Sequence, residues 1–211
     1  MTGTDYSSPL VAAIESAWRA IQANHADVPE DVVTLASGSS RQGMKLGHFA
    51  ADRWVSGEAT VHELFIGGEG LARGGADVLG TLLHEAAHGA AQARGIKDTS
   101  RQGRYHNTKF RAIGEEFGLT LECDPKIGWS TTTVPAATAA RYSPEVAAIT
   151  AALNAHRLAD IGTGGRTSNN NGVSASCECG RKIRVSRAVY EDAPIICGKC
   201  EGVFEAEETE G

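Results

Sequence analysis

The chain has 211 residues, a formal net charge of −6 and five cysteines, and 41% of its residues are hydrophobic. That length carries one domain with a sizeable core plus a small appendage, short of two full-sized domains. The acidic balance excludes a uniformly basic nucleic-acid coat, so any phosphate contact has to come from a local patch.

Taken in chain order, the opening MTGTDYSSPL lacks the basic-then-apolar order of a signal peptide, and no later stretch approaches the roughly 18 apolar residues of a membrane span. A cytoplasmic protein without a membrane partner is expected. Ser8-Pro9 reads as a helix N-cap with proline at the first helical position, and Leu10, Ile14, Ala17, Trp18 and Ile21 then recur at helical spacing. Residues 31–37 (DVVTLAS), 48–55 (HFAADRWV) and 60–67 (TVHELFIG) are short and bounded by glycine or polar turns, so they read as strands of a small, mainly antiparallel sheet. Helices are expected over 76–93, over 107–118 with Gly118 as the stop, and over 144–158 after Ser143-Pro144. Cys123, alone after LTLE, reads as a half-buried strand residue. Between 161 and 176, Gly, Ser, Thr and Asn fill 12 of 16 positions, which describes a flexible tether reaching about 20–24 Å on average. The expected organisation is an α+β domain over 1–160, the tether over 161–176, a cysteine module over 177–204 and a solvated acidic tail over 205–211.

The helix over 76–93 contains TLLHEAAHGAAQARG, residues 81–95. At 100° per residue His84 and His88 fall about 40° apart, with Glu85 about 60° beyond His88. Val78, Leu79, Leu82, Leu83, Ala86, Ala87 and Ala90 occupy the opposite arc, so one face packs inward and the other presents H-E-x-x-H to a cleft. A zinc hydrolase needs this spacing. Two imidazoles on consecutive turns share an ion, and a carboxylate too far round to ligate reaches the attacking water. The third ligand sets the subclass. A metzincin pattern would need Gly and His where the chain has Ala91 and Arg94. Glu115 and Glu116 are the thermolysin-like candidates, but they lie opposite the buried stripe of Phe110, Ile113 and Phe117. His106, extrapolated back along the same helix, falls on that stripe, with Asn107 available as a cap, and is taken as the third ligand.

The residues LLHEAAHGAAQARG…YHNTKF resemble the SprT-like (Spartan/SprT) zinc metalloproteases, a group that includes a protease of DNA–protein crosslinks. The resemblance covers about residues 9–125. It implies a zincin-like α+β fold of helices on a small sheet, a catalytic Zn2+ held by His84, His88 and His106, and a general acid/base role for Glu85. VHELFIGG resembles the strand that borders the cleft in zincins.

CECG (177–180) and CGKC (197–200) form C-x-C and C-x2-C pairs with 17 residues between them. Thiolates of Cys177, Cys179, Cys197 and Cys200 suit a closed structural Zn2+, and so short a module needs such a staple to fold. Between the pairs RKIRVSRAVY alternates like a strand. The module looks like the zinc ribbon that many SprT-like proteins carry in this position.

The expected activity is therefore that of a zinc metalloendopeptidase with one catalytic and one structural zinc. Tyr105, Arg104 and His62 are candidate transition-state donors. Residues 94–111 hold Arg94, Lys97, Arg101, Arg104, Lys109 and Arg111 against only Asp98, a local balance of +5. With Lys182 and Arg184 of the cysteine module, Arg101 and Arg104 are the candidate contacts to DNA, preferably single-stranded, which would direct the protease to DNA-bound proteins. Two alternatives stand beside it: a DNA-independent peptidase that processes a regulator, and a non-catalytic DNA- or polymerase-binding adaptor with scaffold metal sites. An intact Glu85 speaks against the adaptor, which has no use for a carboxylate that does not ligate.

Overall fold

The computed structural model describes residues 5–40, 43–159 and 172–206, and the chain divides into two compact units, residues 1–161 and 162–211. Together they form a mixed α+β protein. Among the described residues no helix is long and apolar enough to cross a membrane.

The first unit opens with α1 (Ser8–Asn24), which buries Leu10, Ala13, Ile14, Ala17, Trp18 and Ile21 along one face. The carboxylate of Asp5 accepts from the N–H groups of Ser7 and Ser8, so the helix starts one residue earlier than a Ser8 cap would place it. Five strands follow: β1 (Asp31–Ala36), β2 (Ser39–Ser40), β3 (Gly43–Met44), β4 (Gly47–Ser56) and β5 (Ala59–Gly67). The sheet order is β1-β5-β4. The β4–β5 pair is antiparallel as expected, but β1 runs parallel to β5. The β4–β5 hairpin occupies one edge of β5, which leaves β1 the opposite edge. Leu64 and Ile66 of β5 are buried among the helices.

A 3-10 turn (Gly68–Arg73) leads into α2 (Gly75–Ala93), the helix at the centre of the core. Its small residues let neighbours approach closely: a Cβ at Gly89 would meet Pro29 and Phe49, and one at Gly75 would meet Thr150. Two short strands, β6 (Thr99–Ser100) and β7 (Tyr105–His106), precede α3 (Thr108–Glu116), which is followed by β8 (Thr120–Asp124) and β9 (Gly128–Thr133). These four strands form a second sheet in the order β6-β7-β9-β8. Cys123 lies on β8 but is exposed: strict alternation would place it on the inward face with Leu121, and the register shift between Glu122 and Asp124 breaks that alternation. Two helices, α4 (Ala136–Arg141) and α5 (Ser143–Ala152), complete the unit. The helix expected to run to 158 ends at Ala152 because Arg157 is drawn back onto the 3-10 turn. Its N–H donates to the Gly68 carbonyl and its guanidinium to the buried Glu69 carboxylate. Glu69 also accepts from the Ser37 and Ser39 hydroxyls and the Gly38 and Ser39 N–H groups, which together hold its carboxyl well below the usual range, Ser39 contributing most. That hub fixes the backbone just before the β2–β3 hairpin.

In the second unit β10 (Val173–Ser176), β11 (Lys182–Val185), α6 (Arg187–Asp192) and β12 (Glu205–Ala206) surround the cysteines, with sheet order β11-β10-β12. The strand expected from RKIRVSRAVY ends at Val185, where the Ser186 hydroxyl caps α6. The expected tether extended to 176, yet Val173–Ser176 form the central strand, their small side chains masking it in the composition. Likewise Glu205 and Ala206 pair with β10 instead of trailing as a tail. The remainder of the tether, 161–171, and of the tail, 207–211, lies outside the described residues.

Candidate functional site

Three imidazoles converge from two elements. α2 supplies His84 and His88 one turn apart, and β7 supplies His106. Asn107 locks the junction: its Oδ1 accepts from the N–H groups of Lys109 and Phe110, capping α3, while its Nδ2 donates to the Lys97 carbonyl and its own N–H to the Asp98 carbonyl. The ligand atoms of the three histidines all lie within 4.8 Å of one another. His88 Nε2 and His106 Nε2 are 3.1 Å apart, close to the ~3.3 Å that two nitrogens about 2.0–2.1 Å from a tetrahedral ion would show. Beneath them the buried Phe110 ring lies 4.7, 4.4 and 4.6 Å from the rings of His84, His88 and His106.

Each Nδ1 faces a partner outside the cluster. His88 Nδ1 meets Asp98 Oδ2, His106 Nδ1 the Ile127 carbonyl at 3.3 Å, and His84 Nδ1 the Thr132 hydroxyl at 3.5 Å. That arrangement leaves Nε2 of each ring for a shared centre, the pattern of metal-bound histidines. Burial, reinforced by His88 and His106, pushes the His84 imidazole far below its ordinary value. Burial and His88 push His106 down to about 4. These two rings are therefore neutral at physiological pH, as ligation requires.

Glu85 is buried beside them, and its Oε2 accepts a 2.8 Å hydrogen bond from the Phe49 N–H of β4. Burial pushes its carboxyl up, while His88, the Phe49 N–H and Lys45 pull the other way. A carboxyl moved toward neutrality is suited to exchange protons with water. Gly47 makes room for it, since a Cβ there would lie 2.7 Å from Thr81 Cγ2 and 3.1 Å from Glu85 Oε1. These residues line a cleft of about 790 Å³. One wall is the segment from Met44 to Phe49, and the other carries Ile127, Ser130, Thr131 and Thr132.

The strand that borders the cleft is β4, not VHELFIGG, which is the central strand of its sheet and is covered on both edges. Tyr105, Arg104 and His62 are not among the cleft-lining residues; the His62 ring instead lies tilted against Phe49, its centroid 5.2 Å away, and accepts from the Asp52 N–H. Ser130, Thr131 and Thr132 of β9 line the cleft, as do Thr81 and Thr99. Asp98, counted only as a charge in a basic stretch, is a partner of His88. Glu115 and Glu116 pair with Arg111 and Arg94. Arg101 and Arg104 are exposed in the turn of the β6–β7 hairpin, Arg101 with its guanidinium 4.6 Å over the Tyr105 ring.

In the second unit the sulfurs of Cys177, Cys179, Cys197 and Cys200 also lie within 4.8 Å of one another. Two tight turns present them. The Gly180 N–H donates to the Cys177 carbonyl and the Glu201 N–H to the Cys197 carbonyl, with Gly180 and Glu201 both at positive φ. The N–H groups of Lys199 and Cys200 pull the Cys197 thiol down to about 6, favouring a thiolate. Lys182 and Arg184 project from β11 of this unit and are exposed. Both clusters, three histidines and four cysteines, are able to hold a metal ion. Comparison with family models, with curated protein sequences and with solved structures finds no match to this chain.

Proposed function

We propose that the chain is a zinc-dependent endopeptidase of the SprT-like, zincin type, with a zinc ribbon formed around its four cysteines. The observation that carries this reading is the convergence of three imidazoles, their ligand atoms within 4.8 Å of one another, beside a buried carboxylate outside that cluster, all on one cleft. Nitrogen donors suit Zn2+, and an ion held by three imidazoles would supply a Lewis acid for the scissile carbonyl at an open coordination position. Glu85 accepts a proton from the attacking water and returns it to the leaving amide nitrogen. The Phe49 N–H holds that carboxylate in place, and Asp98 orients His88.

The proposed substrates are proteins associated with or crosslinked to DNA. Support comes from Arg101 and Arg104, which are exposed in one turn close to the third-ligand residue and have no carboxylate partner among the described residues. The deciding experiment is Glu85→Gln in zinc-loaded protein, assayed on free and DNA-bound test proteins. Hydrolysis should fall by at least ~10²-fold with metal content unchanged. Retained hydrolysis in the variant would remove Glu85 from the mechanism, and none in the parent protein would favour the scaffold alternative.

A further inference from the structure

Two cations, Arg73 and Lys45, line the cleft. Arg73 closes the 3-10 turn and lays its guanidinium against α2: Nε donates to the Gly70 carbonyl at 3.2 Å and Nη2 to the Thr81 hydroxyl at 2.8 Å. Thr81 in turn donates to the Asp77 carbonyl. Lys45, in the segment between β3 and β4, lines the same cleft and lies close enough to Glu85 to pull its carboxyl down. Among the described residues neither cation has a carboxylate within ion-pairing distance, although Arg94, Arg111, Arg157 and Arg187 all do.

The location ties the Arg73 end of the cleft to the chemistry. Thr81 sits one turn before Glu85, roughly 5–6 Å along the helix, and both flank the space that a Cβ at Gly47 would fill. A peptide chain advances roughly 3.3 Å per extended residue, so a side chain entering this end belongs to a residue beside the reacting bond or one position removed. Two of the five guanidinium donors of Arg73 are used to fix it. The remainder form a fork of the geometry that matches a planar carboxylate, already held in place before any ligand arrives. Met44 and Leu46 add apolar wall, and the Asp77 carboxylate lines the same end, so bulk charge is small and the directional donors do the selecting.

We infer that this end of the cleft is a carboxylate-selective subsite, with Arg73 as its specificity-determining residue and Lys45 as its second cation. It takes either an acidic side chain or the C-terminal carboxylate of a peptide. The inference rests on the peptidase reading for its place relative to the scissile bond, but its binding preference can be measured without turnover.

The test uses full-length Glu85→Gln protein and short fluorescent peptides. One series moves a single Glu through a neutral, C-terminally amidated sequence, and a second replaces Glu by Gln and frees the C-terminus. Glu at one register, or the free C-terminus, should tighten binding about tenfold over the neutral amidated peptide, and the series that gains identifies the source of the carboxylate. Arg73→Met should erase that gain, bringing the carboxylate-bearing peptide to the affinity of the neutral amidated one. Lys45→Met, which touches neither Gly70 nor Thr81, should reduce it with no change in melting temperature. A preference that survives Arg73→Met, no gain over the neutral amidated peptide from either a Glu or a free C-terminus, or no binding at all overturns the subsite. Turnover by unsubstituted protein separates the two readings. Cleavage without carboxylate preference sinks the subsite alone, whereas preference in binding with no cleavage of any peptide retains the subsite and sinks the peptidase.

Discussion

Replacing Asp98 by asparagine should weaken metal binding at the histidine cluster without disturbing the backbone around it. Asp98 Oδ2 lies 2.5 Å from His88 Nδ1, and the two side chains are only 14% and 16% exposed. A carboxylate in that position accepts Nδ1–H, sets the tautomer with its lone pair on Nε2 and raises the basicity of the ring. Asparagine keeps the shape and one acceptor, but it loses the charge and offers an NH2 group that competes for the same position. The Asn107 N–H bonds the Asp98 carbonyl, a main-chain contact that the substitution leaves intact. Loss of such an outer partner lowers metal affinity about 10–100-fold, or about 1.4–2.7 kcal/mol. Chelator competition on cobalt-loaded protein measures it, because nitrogen and thiolate sites give different ligand-field spectra and the histidine site can be followed alone. Unchanged affinity in both Asp98→Asn and Asp98→Ala, alongside loss of the metal in His88→Ala, would refute the orienting role.

His106→Ala should empty the histidine site. Glu116→Ala should leave it filled and cost no more than about 1 kcal/mol of stability, since its bond to Arg94 is partly solvent-exposed; metal loss in Glu116→Ala would reverse the ligand assignment. Asp31 opens β1 with a buried, unpartnered Oδ2, and burial, aided by Glu15, pushes its carboxyl up to about 7. The unfolded chain holds that group near pH ~3.9. The folded state therefore binds the proton more tightly, and stability falls as pH rises from about 4 to about 7, by an amount on the order of a few kcal/mol. Asp31→Asn should then raise the melting temperature near pH ~8 and not near pH ~4; equal effects at the two would exclude this group as the cause.

What is legible in the sequence is what a single helix determines. His84, Glu85 and His88 share or flank one face because of the 3.6-residue period alone, and His106 is reached by running the α3 stripe back through its cap. The residues that escape are positioned by pairing between segments. Asp98 meets His88 only because the β6–β7 hairpin folds the loop back, with Thr99 opposite His106. Thr132 reaches His84 only because β9 lies alongside β7, with Gly128 opposite His106. A glycine is required there: φ is +73°, and a Cβ would fall 2.0 Å from the His106 carbonyl oxygen. In DPKIGWSTTTVP that glycine looks like any turn residue. The identity of the cleft strand is hidden for the same reason, since β4 and β5 are equally good strands and only the docking of β1 makes β4 the edge.

Charge counting shows the same limit and yields a further test. The balance of +5 over residues 94–111 treats six cations as equivalent, but the fold has already assigned two of them. Arg94 joins Asp27 and Glu116, tying α2 to the segment after α1 and to α3, and Arg111 pairs with Glu115 while its guanidinium lies 4.4 Å over the Trp129 ring. Lys97, Arg101, Arg104 and Lys109 are exposed, with no acidic ion-pair partner among the described residues. For single-stranded DNA each phosphate contact contributes about 0.7 to the slope of log K against log salt. Changing Arg101 and Arg104 together to Gln should thus lower the slope by about 1.4. Arg94→Gln should reduce thermal stability and leave the slope where it was. If both sets of changes alter the slope equally, the exposed turn is not the contact surface, and the regulator-processing peptidase becomes the better account of the same catalytic cluster.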